Sequence, residues 1–216
     1  MKNVLCFGDS NTWGFIPESI TAPFPERHPY AARWTGVLAR ELGPAFRVLE
    51  EGQNGRTTVH DDPFATMRNG RTVLPAILES HKPLDLVVLM LGTNDLKNVY
   101  GSSPGEIAMG VKILAQMILN SDSGINNLPP RLLIMCPPVI GDQTDLPDIA
   151  AKFPNGQHDS RQLPRHYESL AQTLGCGYLN TQSLIEPGSD GIHLDAAAHA
   201  KLGAAVAAAV KSILPA

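Results

Sequence analysis

The arrangement of apolar and polar segments along the chain predicts a parallel α/β fold. Five short runs are apolar nearly throughout, rather than at every second position: Asn3–Phe7, Phe46–Glu50, Leu84–Leu91, Arg131–Cys136 and Gly177–Leu179. Strands of that kind belong to a parallel sheet covered on both faces. Between them, apolar residues recur at spacings of three and four. Trp34, Val37, Leu38 and Leu42 form one such series, and Ile107, Val111, Leu114 and Ile118 a second. A third begins near Asp195, with Leu202, Val206, Val210 and Ile213 in line among many alanines. This spacing gives a helix one apolar face. The expected architecture is a three-layer α/β/α sandwich around a five-stranded parallel sheet, as one domain over residues 1–216. Two long connections stand out. One spans 16–30 with Pro17, Pro23, Pro25 and Pro29; the other spans 137–164 and is rich in Pro, Asp and Gly. Long loops on a compact fold often carry function. Leu146, Ile149 and Phe153 in the second have no evident core of their own, which points to packing against neighbouring subunits.

Composition narrows the class. With 43% hydrophobic and 18% charged residues, the chain reads as globular. A net charge of −4 and the lack of any Lys/Arg run argue against a nucleic-acid partner. The run Leu86–Leu91 is the longest apolar stretch, far below the ~20 residues of a membrane span. The N-terminus enters a strand directly and leaves no room for a signal peptide, so a cytoplasmic location is expected. Cys6, Cys136 and Cys176 are odd in number and widely spaced, which suits buried free thiols in a reducing compartment and gives no zinc motif.

Open α/β folds place ligands at the carboxyl ends of their strands. The first strand is followed by Gly8-Asp9-Ser10, the second by Gly52-Gln53-Asn54-Gly55, and the third by Gly92-Thr93-Asn94-Asp95. Asp190-Gly191-Ile192-His193 precedes the last helix. An alcohol, a glycine turn, a carboxamide and an imidazole with a carboxylate should share one rim. Acyl transfer needs those parts: Ser10 as nucleophile, His193 as base, and Asp190 accepting the Nδ1 proton. The N–H groups of Ser10 and Gly55 and the side-chain amide of Asn94 are candidate oxyanion donors. Each motif alone has a bland reading as a turn or cap, and the inference rests on their co-occurrence in order. Trp13, Phe15 and Lys97 are candidate substrate contacts, with core packing as the plainer reading of the two aromatics. No cofactor and no metal are expected.

Other motifs read as structure. Gly101-Ser102-Ser103-Pro104-Gly105 matches the nucleophile-elbow pattern but lacks a preceding strand, and Ser103 with Glu106 reads as a helix capping box. His60-Asp61-Asp62 reads as a surface turn, Asp9 and Asp95 as loop anchors, and His199 as surface. A flavin- or nucleotide-binding rival with similar layers is disfavoured by Asp9, whose carboxylate repels phosphate. A binding module that has lost its chemistry is disfavoured by the presence of both Ser10 and His193.

These four blocks resemble those of the SGNH hydrolases, also called GDSL esterases and lipases, over nearly the whole chain. The resemblance implies a flavodoxin-like sandwich, a triad of Ser10, Asp190 and His193, and an oxyanion hole of Ser10, Gly55 and Asn94. CFGDSNTWGF, RWTGVLARELG, VLEEGQNGRTT, PLDLVVLMLGTND and DGIH are similar to a bacterial arylesterase and acyltransferase subgroup. That likeness implies a serine esterase acting on small short-chain acyl and aryl esters, transferring acyl groups to alcohols or peroxide, and assembling into homo-oligomers, including octamers. The alternatives within the superfamily are a carbohydrate O-acetyl esterase and a thioesterase or lysophospholipase.

Overall fold

A computed structural model describes residues 1–215. Five parallel strands, β1 (Lys2–Gly8), β2 (Phe46–Gly52), β3 (Leu86–Met90), β4 (Arg131–Cys136) and β5 (Gly177–Asn180), form one sheet in the order β2-β1-β3-β4-β5. Each lies within two residues of its expected bounds. The helices are α1 (Ser10–Trp13), α2 (Trp34–Leu42), α3 (Gly70–His81), α4 (Pro104–Leu119), α5 (Pro147–Ala150), α6 (Gly156–Ser160), α7 (Leu163–Leu174) and α8 (Ala196–Ile213). Among the described residues, no helix is long and apolar enough to cross a membrane.

The strands are apolar on both faces because both are covered. Leu5, Phe7, Val87, Leu89, Leu132 and Ile134 point into a core closed by Leu74, Val111, Leu114 and Tyr167 of α3, α4 and α7. The alternate residues Val4, Cys6, Val88, Leu133 and Met135 face Trp34, Leu38, Leu202 and Val206 of α2 and α8. The expected three layers are therefore present. α3 and α7 are additions to the expected helices. α3 contains Pro75, which obscures its periodicity, and Pro164 sits in the first turn of α7, where proline starts a helix rather than ending a loop.

Sheet order and register position the site. The chain runs from β1 outward to β2 and then returns to the other side of β1 as β3, so neighbouring connections diverge at the carboxyl ends of β1 and β3. Gly8 pairs with Gly52 on one side and Met90 on the other, which brings the ends of β1, β2 and β3 level. Gly52 must lack a side chain there: a Cβ would lie 2.2 Å from the Trp13 backbone nitrogen.

The long connections are ordered against the protein's own surface. In 16–30, Ile16 N–H donates to Glu26 O at 3.1 Å and His28 N–H to Gly14 O at 2.8 Å. The 137–164 segment folds into α5 and α6. Its Phe153 is buried and Ile149 packs on the main core, so these two have an intrachain core, whereas Leu146 is half-buried outside it. The sequence hides this because the cluster they join is built from segments far away in the chain.

Candidate active site

Ser10 opens α1, two residues beyond the end of β1. Asp9 caps this short helix by accepting the Asn11 N–H at 3.0 Å, and Gly14 ends it in the left-handed conformation at φ +90°. The Ser10 hydroxyl is thus presented at the sheet rim, 2.9 Å from His193 Nε2. Asp190 Oδ2 lies 2.5 Å from His193 Nδ1. Its other oxygen accepts the backbone N–H groups of Ile192 and His193, both at 2.8 Å. Burial alone would raise the Asp190 pKa, but these hydrogen bonds and the imidazole outweigh it and leave the carboxyl below its ordinary value. An ionised Asp190 fixes the proton on Nδ1, so Nε2 is free to accept the Ser10 hydroxyl proton.

Phe15 stacks on the imidazole, with ring centroids 4.0 Å apart and planes 19° from parallel. It braces the base. Trp13 is half-buried, its ring centroid 6.3 Å from that of Phe15, with the Arg27 guanidinium 5.0 Å from the centroid of its ring. Asn11, which sequence reasoning passed over, ties the two halves of the site together. Its side chain donates to Ile192 O at 3.2 Å and accepts from Leu194 N–H at 3.0 Å. Its only sequence signal was its place beside Ser10.

The candidate oxyanion residues Gly55 and Asn94 sit on turns that follow β2 and β3. Gly55 has φ +76°, a backbone conformation that favours glycine. Arg56, also missed from sequence, locks this turn. Its guanidinium donates to Gly8 O at 2.8 Å, and its own carbonyl accepts the Asn94 side-chain amide at 3.1 Å. Burial pulls the Arg56 pKa down to about 10, and the group stays charged. Asn94 begins a 3₁₀ turn after β3. The Tyr167 hydroxyl of α7 donates to Leu91 O at 2.8 Å and holds that turn from beneath. Asp95 accepts from Thr58 N–H at 3.0 Å and Thr58 Oγ at 2.5 Å, the anchoring part expected of it. Lys97 lies at the end of the same turn and lines a neighbouring cavity.

Two histidines sit otherwise than expected. His199 is fully buried, not surface: its Nδ1 accepts the Trp34 N–H at 3.1 Å, and burial drives its pKa down to about 3. Its position at the start of α8, under α2, was invisible locally. His60 is more than a surface turn. It stacks on Tyr100, with centroids 4.9 Å apart, and its Nε2 is 3.0 Å from Ser102 Oγ. Asp95 approaches that same nitrogen, at 4.0 Å, so no relay through the ring exists. Ser103 caps α4 in the expected box, receiving Glu106 N–H at 3.3 Å and donating its own N–H to Glu106 at 2.8 Å.

The profile of the GDSL-like lipase/acylhydrolase family matches residues 6–201. The chain belongs to that family. Curated protein sequences gave no match. Among solved structures, the aryl esterase of M. smegmatis is 40% identical with a TM-score of 0.94, covering 99% of this chain and 100% of its own. Est24, a carbohydrate acetylesterase from Sinorhizobium meliloti, is 39% identical with the same TM-score and coverage. A G-D-S-L family protein from Veillonella parvula, at 14% identity and TM-score 0.63, shares the fold alone. As a GDSL-family member with esterases among its near relatives, the chain is a carboxylic ester hydrolase.

Proposed function

We propose that this GDSL esterase works through Ser10, His193 and Asp190 on small short-chain acyl and aryl esters. The observation that supports it most is the continuous hydrogen-bonded line from Asp190 through His193 to Ser10, with distances of 2.5 and 2.9 Å. Ser10 Oγ attacks the ester carbonyl while its proton passes to His193 Nε2. The Ser10 and Gly55 N–H groups and the Asn94 amide receive the oxyanion. Collapse of the tetrahedral intermediate expels the alcohol, which takes the proton from His193, and leaves an acyl-Ser10. Water, activated by the same imidazole, then releases the acid. Asp190 keeps the ring in the required tautomer and offsets its charge.

In this reading residues 1–216 act as one domain, and an alcohol or peroxide can replace water as acyl acceptor. Homo-oligomerisation, up to an octamer, is part of the proposal. Deacetylation of carbohydrates is a second reading, carried by the likeness to Est24.

Ser10→Ala should abolish turnover of p-nitrophenyl acetate, and a serine-directed phosphonate should label Ser10 in the wild type. Labelling of Ser103, or full activity in Ser10→Ala, contradicts the assignment. Light scattering reads the assembly, and product analysis with added alcohol reads the acceptor.

A further inference from the structure

A cavity of about 540 Å³ opens beside the Asn94 turn, lined by Asp62, Phe64, Lys97, Asn98, Val99 and Lys152 together with two alanines. Lys97 closes the turn that Asn94 opens, its N–H donating to Asn94 O at 3.2 Å, and Asn98 N–H donates to Lys152 O at 2.8 Å, which ties the two lysine-bearing segments together. Lys97 and Lys152 thus line one space. Neither has an ion-pair partner among the described residues. The one carboxylate present, Asp62, is already occupied. It accepts Phe64 N–H at 2.8 Å, Ala65 N–H at 3.1 Å and the Tyr100 hydroxyl at 3.1 Å. Lys97 is partly withdrawn from water, and that burial lowers its pKa while the Asp62 charge works to restore it. Phe64, 87% exposed, and Val99, 51% exposed, supply apolar walls.

We infer that this cavity selects esters carrying a carboxylate on an aromatic or short apolar spacer, the carboxylate meeting Lys97 with Lys152 at the mouth. The inference rests on the esterase reading of Ser10. A half-dehydrated ammonium with no partner is costly, and a carboxylate gives it a charge-assisted hydrogen bond in a site of reduced dielectric. The lining carries two positive charges and one negative, so it balances a monoanion. A phosphate dianion would meet repulsion from Asp62. Apolar walls with a few placed charges are the usual build of a small-ligand pocket.

The test compares 4-acetoxybenzoate with methyl 4-acetoxybenzoate in the wild type, Lys97→Met and Lys97→Arg. The ratio of the two kcat/KM values cancels intrinsic reactivity. That ratio should fall roughly tenfold to a hundredfold in Lys97→Met, the range for a lost hydrogen bond to a charged group. The fall should lie mainly in KM for the anionic ester, and Lys97→Arg should recover most of it. An unchanged ratio overturns the inference, as does a loss shared equally by both esters. If the wild type hydrolyses neither ester, the esterase reading falls. Benzoate titrated by NMR against the wild type and Lys97→Met then decides the cavity alone, tenfold weaker binding in the variant supporting it and equal binding overturning it.

Discussion

Asp9→Asn removes a buried charge next to the nucleophile while keeping the shape of the side chain. Asp9 is buried, and only one of its oxygens has a partner, the Asn11 N–H at 3.0 Å; Oδ2 has none. Burial pushes its pKa from the ordinary 3.8 up to about 6, against the pull of His193 and Arg56. A raised folded-state pKa contributes stability below pH 3.8 that is lost as pH rises through 6. Ionised at neutral pH, Asp9 therefore costs about 3 kcal/mol, at ~1.4 kcal/mol per tenfold change in proton affinity. Asparagine retains the acceptor for Asn11 and carries no charge. Its unpaired amide costs the same at every pH, so the pH dependence isolates the charge. The stability of Asp9→Asn relative to wild type should rise by about 2 kcal/mol between pH 4 and pH 8, measured by urea unfolding at both. Its kcat should fall, because a carboxylate near His193 favours the imidazolium that forms in the transition state. Such an exchange of stability for activity is common at functional sites. A stability difference that is equal at pH 4 and pH 8 would refute the reasoning and show the charge to be satisfied in solution.

Other outcomes follow from the same geometry. Asn94→Ala should lower kcat by roughly 10²–10³ with a smaller change in KM, read from steady-state kinetics, since its amide serves the developing charge. Asp190→Asn should reduce kcat by orders of magnitude, because the amide cannot fix the proton on Nδ1; near-wild-type turnover would remove Asp190 from the mechanism. His199 has a folded pKa of about 3 against an ordinary 6.5, so its contribution is present above pH 6.5 and lost as pH falls towards 3. His199→Asn, which keeps an acceptor for the Trp34 N–H, should flatten that acid-side loss by up to ~1.4 kcal/mol per pH unit in chemical denaturation. Gly203→Ala should destabilise the α2–α8 contact, visible as a lower Tm, because a Cβ there would lie 2.6 Å from Val37 Cβ and 2.7 Å from Trp34 O.

Much of the fold was legible because burial on both faces writes itself into a strand as an unbroken apolar run. Val4–Phe7, Leu86–Leu91 and Leu132–Cys136 are fully buried, and each was readable for that reason. α4 and α8 were readable because one apolar face repeats over four turns or more. α3 was not, because Pro75 reads locally as a break and only packing shows the helix continuing; α7 was not, because Pro164 reads as part of the proline-rich loop when it in fact starts the helix. The motif residues after each strand could be named from order alone, since a parallel sheet brings every strand's carboxyl end to one rim. Distances, protonation and support belong to the tertiary structure. Asn11 reaches Ile192 and Leu194, Arg56 reaches Gly8 and Asn94, and Phe15 reaches His193. His199 is buried only because α2 closes over α8, and Lys97 gains its cavity only because Lys152 arrives from a distant loop. Local sequence sets which groups are available and what backbone they favour. Which of them lose water and meet a partner depends on contacts between segments far apart in the chain, and those exist only once the layers have packed.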